Sequence, residues 1–128
     1  MSQENVEIVR AIYQAWTENT SPRDLIAADM EYVNPPYAVE SGTSSDRRTL
    51  AKVKEVYPDF RIDPERYIDA GDDVVVIGTA HGTGASGVEV RWRQGYVWTV
   101  RDGKAVRFCW FNDPAEALEA IGLPPEAA

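Results

Sequence analysis

The second half of the chain carries the pattern that most constrains the fold, because it alternates like a series of antiparallel strands. β-Branched and aromatic residues dominate it, and the short joins between segments leave no space for crossover helices. The predicted strands are Phe60–Ala70, Val74–His81, Val88–Arg101 and Ala105–Phe111. Asp102-Gly103 joins the last two and favours a type I′ hairpin, since both residue types tolerate positive φ. This order disfavours a doubly wound, dinucleotide-binding fold.

Helical spacing of apolar residues precedes this region. A helix is predicted over Gln3–Glu18, where apolar side chains recur every three or four positions. Further helices are predicted over Arg23–Ala28 and Asp46–Tyr57, with a strand at Met30–Asn34 and a loop at 37–45 between them. Helices followed by strands indicate an α+β fold with the helices on one face of the sheet.

The end of the chain predicts one more short helix. Asp113 is a suitable N-cap, and Pro114 suits the first helical position because its missing N–H would have no helical partner there. Gly122 follows the last apolar residue and can take the left-handed conformation that ends many helices.

Composition limits the possible partners and cofactors. The 128 residues hold 13 Lys and Arg against 21 Asp and Glu, a formal net charge of −8 that repels phosphate backbones and acidic membrane surfaces. One cysteine, Cys109, and one histidine, His81, exclude an internal disulfide and a Cys/His metal cluster. We expect one domain over 1–128, no metal or other cofactor, no nucleic-acid or membrane partner, and a cytoplasmic location, since the N-terminus lacks an apolar signal segment.

Four segments together resemble a known family. They are NVEIVRAIYQAW, ADMEYVNPP, DFRIDPERYIDAGDDVVVIG and YVWTVRDGKAVRF. In their order and spacing, over residues 2–123, they resemble the SnoaL-like branch of the nuclear-transport-factor-2-like superfamily. The resemblance implies a cone-shaped roll, in which three N-terminal helices pack in the concave face of a curved, mostly antiparallel sheet. It also implies an apolar pocket in many members, and homodimers that form through the outer sheet face.

Strand alternation places several polar and aromatic side chains in this predicted cone. We assign the face without arginines inward, because neighbouring arginines at 91 and 93 suit the outside of a cone. The predicted substrate-binding residues are Trp16, Asn34, Tyr57, Trp92, Gln94, Phe108, Trp110 and Asn112. An aromatic wall with a few polar groups is typical of small-molecule sites. The alternative is that the same aromatic side chains fill the cone as core.

Similarity to ketosteroid isomerases allows a residue-by-residue comparison. The family's Asp base before a proline falls on Asn34, and an amide cannot accept a proton at neutral pH. The family's oxyanion-hole Asp falls on Tyr96, which can still donate a hydrogen bond. The family's helix-one tyrosine falls on Ile12 or Tyr13, depending on a one-residue gap. Half of the isomerase apparatus is therefore present without its base.

Two functions follow as hypotheses. In the first, the chain binds a small, largely apolar or carbonyl-containing molecule and catalyses cofactor-free, isomerase- or cyclase-type proton transfer. Tyr96 would then be the oxyanion donor, and His81 or Asp59 the base. In the second, the chain is a non-catalytic ligand-binding or dimerisation module of the same fold. For either, an outer face that carries Arg107 and other arginines beside Cys109 and Phe111 predicts a homodimer contact.

Overall fold

A computed structural model of the chain describes residues 2–18, 20, 22–38, 42–44, 55 and 57–124. The helices are α1 (Ser2–Thr17), a 3₁₀ turn (Arg23–Leu25) and α2 (Pro114–Ala120). The strands are β1 (Ile26–Asn34), β2 (Gly42–Ser44), β3 (Arg61–Ala70), β4 (Asp73–Thr83), β5 (Glu89–Arg101) and β6 (Lys104–Phe111). They form one curved sheet of order β2-β1-β6-β5-β4-β3, in which only β1 and β6 pair in parallel.

The strands predicted in the second half are confirmed, with ends that shift by one or two residues. The hairpin between β5 and β6 has Asp102 at φ 52° and Gly103 at φ 79°, as a type I′ turn requires. β3 accommodates Pro64 because the register with β4 shifts between Pro64 and Arg66. A bulge of this kind lets a strand tolerate a residue that cannot donate a ladder hydrogen bond.

The expectation of three N-terminal helices is corrected to one long helix in the described part of the chain. The helix predicted over Arg23–Ala28 is wrong beyond Leu25, since Ile26 already begins β1 and pairs with Ala105 of β6. Two isolated turns are weak in water, whereas the edge of β6 offers backbone partners at once. The helix predicted over Asp46–Tyr57 lies mostly outside the described residues. The predicted loop at 37–45 contains β2, which pairs with β1.

The sheet buries a different core on each face. On the first, here called the α1 face, Val9, Ile12 and Tyr13 of α1 pack on side chains of β4, β5 and β6. The buried residues of this core are Val6, Val9, Ile12, Tyr13, Met30, Tyr32, Val74, Val76, Tyr96, Trp98, Val100, Ala105 and Phe108. The curvature of the sheet and this helix form the cone wall.

The opposite, α2 face is covered by the C-terminal helix. Ala117 and Leu118 pack on Val97, Cys109 and other buried strand residues. As predicted, Asp113 caps the helix: its side chain accepts a hydrogen bond from the backbone N–H of Ala115 at 2.9 Å. Cys109 lies on the outer face of β6, as strand alternation predicts, and α2 buries it within the chain. No helix among the described residues is both long enough and apolar enough to cross a bilayer.

A glycine on β5 permits the close approach of α2. A Cβ at Gly95 would lie 2.7 Å from Ala117 Cβ and 2.9 Å from Pro114 Cα. We expect Gly95→Ala to lower the free energy of unfolding by about 1–3 kcal/mol through overpacking, measured by urea denaturation. Gly84→Ala is the matched control, because its Cβ would meet nothing nearer than 3.9 Å. Equal unfolding midpoints for the two variants would contradict this account of α2 packing.

Candidate functional site

The inward side chains of β5 and β6 point to the α1 face, as strand alternation predicts. Tyr96, Trp98 and Phe108 belong to the core beneath α1, and Trp110 packs against it partly buried. Tyr96 pairs with Trp110 across the two strands, and Trp98 pairs with Phe108. Side chains that share a face and a register therefore form a continuous aromatic surface inside the cone.

The part of this surface beneath the C-terminal end of α1 is filled. The rings of Tyr13 and Trp16 lie 5.7 and 5.8 Å from the ring of Trp98, centroid to centroid. Trp98 Nε1 donates a hydrogen bond to the Tyr13 hydroxyl at 3.1 Å, so the buried indole N–H is satisfied. Ile12 and Tyr13, the two positions on which the family's helix-one tyrosine could fall, are both buried in this core. Beneath the C-terminal end of α1, the aromatic side chains therefore fill the cone as core, which is the alternative interpretation.

Beyond α1 the same face carries a row of hydrogen-bonded polar side chains, here called the polar line: Tyr96, Gln94 and Asn112. The Tyr96 hydroxyl donates to Gln94 Oε1 at 2.5 Å, and Gln94 Nε2 donates to Asn112 Oδ1 at 2.9 Å. Tyr96 is 1% exposed and Gln94 6%, whereas Asn112 is exposed. The polar line therefore runs from the interior of the cone to its surface.

Burial fixes the protonation state of Tyr96. Desolvation raises the pKa of its phenol far above the ordinary value, so the hydroxyl keeps its proton at any physiological pH. A buried hydroxyl without a partner would cost about 1–3 kcal/mol, so the bond to Gln94 matters for stability. Tyr96, predicted as an oxyanion donor, thus already has an acceptor within the protein.

A third side-chain amide contacts Trp110, the residue of β6 that pairs with Tyr96. Asn34, the last residue of β1, accepts a hydrogen bond at Oδ1 from Trp110 Nε1 at 2.6 Å. Both residues face a mouth cleft of about 330 Å³ at the ends of β1 and β6. Its lining residues are Val33, Asn34, Pro35, Pro36, Gly42, Trp110 and Phe111. The cleft is mostly apolar, and its size is at the small end of the range for ligand pockets.

Tyr37 forms the rim of the mouth cleft, and sequence reasoning missed it. Its hydroxyl accepts a hydrogen bond from the backbone N–H of Asn112 at 2.6 Å, and its ring meets Trp110 edge-on with 6.2 Å between centroids. Partial burial and the nearby Glu116 and Asp113 carboxylates raise the pKa of Tyr37, against the lowering effect of the Asn112 hydrogen bond. The available signal in the sequence was an aromatic residue directly after Pro35-Pro36. In the structure Tyr37 is 48% exposed.

Tyr57 and Trp92 form another wall further along β5. Their rings lie 5.7 Å apart, and Phe60 lies 6.1 Å from the same indole. The Tyr57 ring rests directly on Gly82, where an added Cβ would come within 2.7 Å of it. Asp59 anchors this segment: its carboxylate accepts hydrogen bonds from the backbone N–H and the hydroxyl of Thr83, both at 2.7 Å.

The two candidate bases do not meet Tyr96. β4 and β5 pair without a register shift, so odd-numbered residues of β4 share the α2 face with Val75 and Ile77. His81 is one of them, and its Nε2 lies 2.7 Å from Asp63 Oδ2, a partner that sequence reasoning did not identify. Asp59 is bound to Thr83, also on that face. Antiparallel register could not be inferred from one sequence, and both contacts depend on it.

The inner Nδ1 atom of His81 is buried and has no hydrogen-bond partner within the described part of the chain. Among those residues, no three His, Cys, Asp or Glu side chains come close enough together to hold a metal ion. The site is therefore built from aromatic rings, three side-chain amides and phenol groups.

Comparison with known proteins defines the class to which this architecture belongs. The SnoaL-like domain family matches residues 9–108, and the chain is a member of that family. Its structural neighbours share the NTF2-like and ketosteroid isomerase-like fold. No functionally curated protein matches the sequence significantly.

Several solved structures resemble the chain over most of its length. TerC, co-crystallised with polyporic acid, is 29% identical with a TM-score of 0.73, over 92% of this chain and 98% of its own. An NTF2-like protein of unknown function from Burkholderia pseudomallei is 27% identical with a TM-score of 0.71, over 93% and 98%. A ketosteroid isomerase-like protein from Catenulispora acidiphila, in complex with trimethylamine, shares the fold at 21% identity and a TM-score of 0.67, over 94% and 95%.

The anchor between Asp59 and Thr83 predicts a pH dependence. The two Thr83 donors lower the pKa of Asp59, so its contribution to stability is present above the ordinary carboxyl pKa of about 3.9 and is lost as pH falls through the lower, folded value. We expect Thr83→Val to raise the Asp59 pKa toward the ordinary value, measured by NMR titration. Thr99→Val is the matched control, because it removes a hydroxyl bound to Asp73 instead. Because the backbone N–H of Thr83 remains in this variant, an unchanged Asp59 pKa would refute the contribution of the Thr83 hydroxyl.

Proposed function

We propose that this protein binds a small, largely apolar carbonyl compound at the mouth of the cone. The apolar body would lie in the mouth cleft against Trp110, and the carbonyl oxygen at the outer end of the polar line. The polar line is the observation that carries the proposal. It places two hydrogen-bonded polar side chains, Tyr96 and Gln94, inside an otherwise aromatic face.

Energetics favour a binding role for this polar line over a purely structural one. An amide buried without hydrogen bonds costs several kcal/mol, and even a satisfied one contributes only about 1 kcal/mol net. Apolar side chains at positions 94 and 96 would serve packing at least as well. Few and well-placed polar groups in an apolar wall are instead what orients a small molecule. The carbonyl class follows from the NH₂ group of Asn112 at the outer end of the polar line, which is a donor.

Relatives of the chain support the same function. TerC was co-crystallised with polyporic acid, and 29% identity over nearly the whole of both chains makes its ligand a reasonable first probe. The neighbour in complex with trimethylamine supports the fold alone at its level of identity. We therefore choose polyporic acid and an aromatic ketone as test compounds.

Cofactor-free proton transfer on the carbonyl compound is the second candidate function. The observation in its favour is that the buried Tyr96 phenol keeps its proton and orients the amides of Gln94 and Asn112. The outermost NH₂ group could then stabilise a developing oxyanion. The reaction also requires a base. His81 and Asp59, the candidates from the sequence, lie with the opposite face, so a base would have to come from elsewhere.

A homodimer through the outer sheet face remains part of the proposal. α2 covers Cys109, so the contact would use the exposed strand positions beyond the helix, where Arg93 lies beside Glu65 with 3.8 Å between Nε and Oε1. We expect sedimentation velocity at micromolar concentration to show a species of twice the chain mass. A single species of the 14.3 kDa chain mass would refute the dimer.

Ligand binding is tested by quenching of tryptophan fluorescence with polyporic acid and with 2-acetonaphthone. We expect Tyr96→Phe to weaken binding about fivefold, because Gln94 loses the hydrogen bond that orients it, worth about 1 kcal/mol. Tyr67→Phe removes the same atom from a half-buried tyrosine near α1 and should leave the dissociation constant unchanged.

Two outcomes would contradict the proposal. Absence of saturable quenching by either compound would refute binding, and equal effects of Tyr96→Phe and Tyr67→Phe would refute the role of the polar line. The same ketone in D₂O tests the second candidate. Exchange of its methyl protons at the buffer rate would refute proton transfer, and faster exchange that falls in Tyr96→Phe would support it.

A further inference from the structure

Each hydrogen bond of the polar line has a donor and an acceptor, and the donor lies at the inner side each time. We call this donor-to-acceptor order the direction of the polar line, and Tyr96 at the inner end sets it. Tyr96 is buried and protonated, and Gln94 is the hydrogen-bond partner of its hydroxyl among the described residues. A buried hydroxyl proton without an acceptor would be costly, so the hydroxyl donates and Gln94 turns its oxygen inward. An amide with its oxygen inward has its NH₂ group on the outward side.

The Asn112 amide is oriented in the same direction as the Gln94 amide. Gln94 Nε2 can only donate, so Asn112 turns Oδ1 toward it, at 2.9 Å. The Nδ2 group of Asn112 is thus left at the exposed end of the polar line, without a partner in the described part of the chain. Tyr96 orients Gln94, and Gln94 in turn orients Asn112. The buried hydroxyl therefore determines which group Asn112 presents at the surface.

An independent contact orients the amide on the other side of the mouth cleft. The Trp110 indole is a donor without acceptor capacity, so Asn34 must present Oδ1 to it, at 2.6 Å. The Asn34 NH₂ group consequently points away from Trp110. Two separate donors thus fix the amides: the Tyr96 hydroxyl orients Gln94 and, through it, Asn112, and the Trp110 indole orients Asn34.

We propose that Gln94 determines specificity at this site: by turning the Asn112 NH₂ group outward, it selects a ligand whose polar atom accepts a hydrogen bond, such as a ketone or quinone oxygen, over one that only donates, such as an ammonium. The position of the ligand rests on the proposed function. The direction of the polar line does not, and it can be measured without a ligand.

Long-range electrostatics opposes this selectivity, because the negative charge of the chain favours the ammonium ligand over the neutral ketone. The chain has a formal net charge of −8, and the Glu116 and Asp113 carboxylates lie near the rim at Tyr37. Both attract a cation. In about 0.5 M salt the screening length falls to roughly 4 Å, so charge attraction weakens while direct hydrogen bonds remain. If the protein binds the neutral ketone more tightly than the ammonium in about 0.5 M salt, the preference arises from the orientation of the amides and not from net charge.

The ligand test compares 2-acetonaphthone with 1-(2-naphthyl)ethylamine, which share a ring system and differ in the polar group. In 0.5 M salt we expect the wild type to bind the ketone about tenfold more tightly. Asn112→Asp replaces the outward NH₂ group by an acceptor at an exposed position, so the fold should tolerate it, and the preference should reverse. Thr43→Asp is the matched control: it adds the same charge at an exposed residue of β2 and should keep the ketone preference.

The ligand-free test uses side-chain amide NMR. In the wild type, the Gln94 NH₂ hydrogens should exchange slowly with water and those of Asn112 quickly. Gln94→Glu keeps the acceptor for Tyr96 but has no NH₂ group, so Asn112 should turn its own toward the new carboxylate and exchange at least tenfold more slowly. Fast exchange at Gln94, or no slowing at Asn112 in Gln94→Glu, would overturn the assigned direction.

The outcomes separate the two proposals. If neither naphthyl compound binds while the NMR pattern is as expected, the proposed ligand is wrong and selection of a ligand at this site falls with it, but the direction of the polar line stands. If both compounds bind equally, or if Thr43→Asp reverses the preference as Asn112→Asp does, the specificity role of Gln94 is overturned and binding itself is supported.

Discussion

Burial of a single phenol on the central strand controls the arrangement of the site. The Tyr96 hydroxyl sits where water does not reach, so it must find an acceptor within the chain, and Gln94 on the same strand provides it. That bond draws a side-chain amide into an aromatic face, and the amide in turn needs Asn112. The polar character of the mouth therefore begins with a requirement of the interior.

The strand that holds Tyr96 also separates two environments. Even-numbered residues of β5 face α1 and the aromatic surface, while odd-numbered residues such as Val97 face α2. Because β4 and β5 keep one register, this division extends to β4 and assigns His81 to the side away from Tyr96. The sheet thus acts as a partition, and groups close in sequence can be chemically remote from one another.

Local patterns explain how much of this could be predicted. Alternation and the Asp102-Gly103 turn predicted β3 to β6, and the Asp113-Pro114 pair predicted α2, since each depends on neighbours in sequence. The inward direction of Tyr96 followed from the same alternation. The short second helix was predicted wrongly, because Ile26 pairs with a strand at the far end of the sequence. The Tyr37 rim and the His81–Asp63 contact were missed for the same reason: long-range register is not encoded in local spacing.

The parallel pairing of β1 with β6 has a consequence for how the chain acquires its structure. β1 pairs with the short β2, and it can join the other four strands only beside β6, the last of the described strands to leave the ribosome. β3, β4 and β5 can pair as successive hairpins before β6 is synthesised, whereas β1 cannot yet join them. Such distant pairings slow folding and lengthen the exposure of aggregation-prone segments. The strand that ends in Asn34 is therefore synthesised first but joins β3 to β6 only after β6 is available.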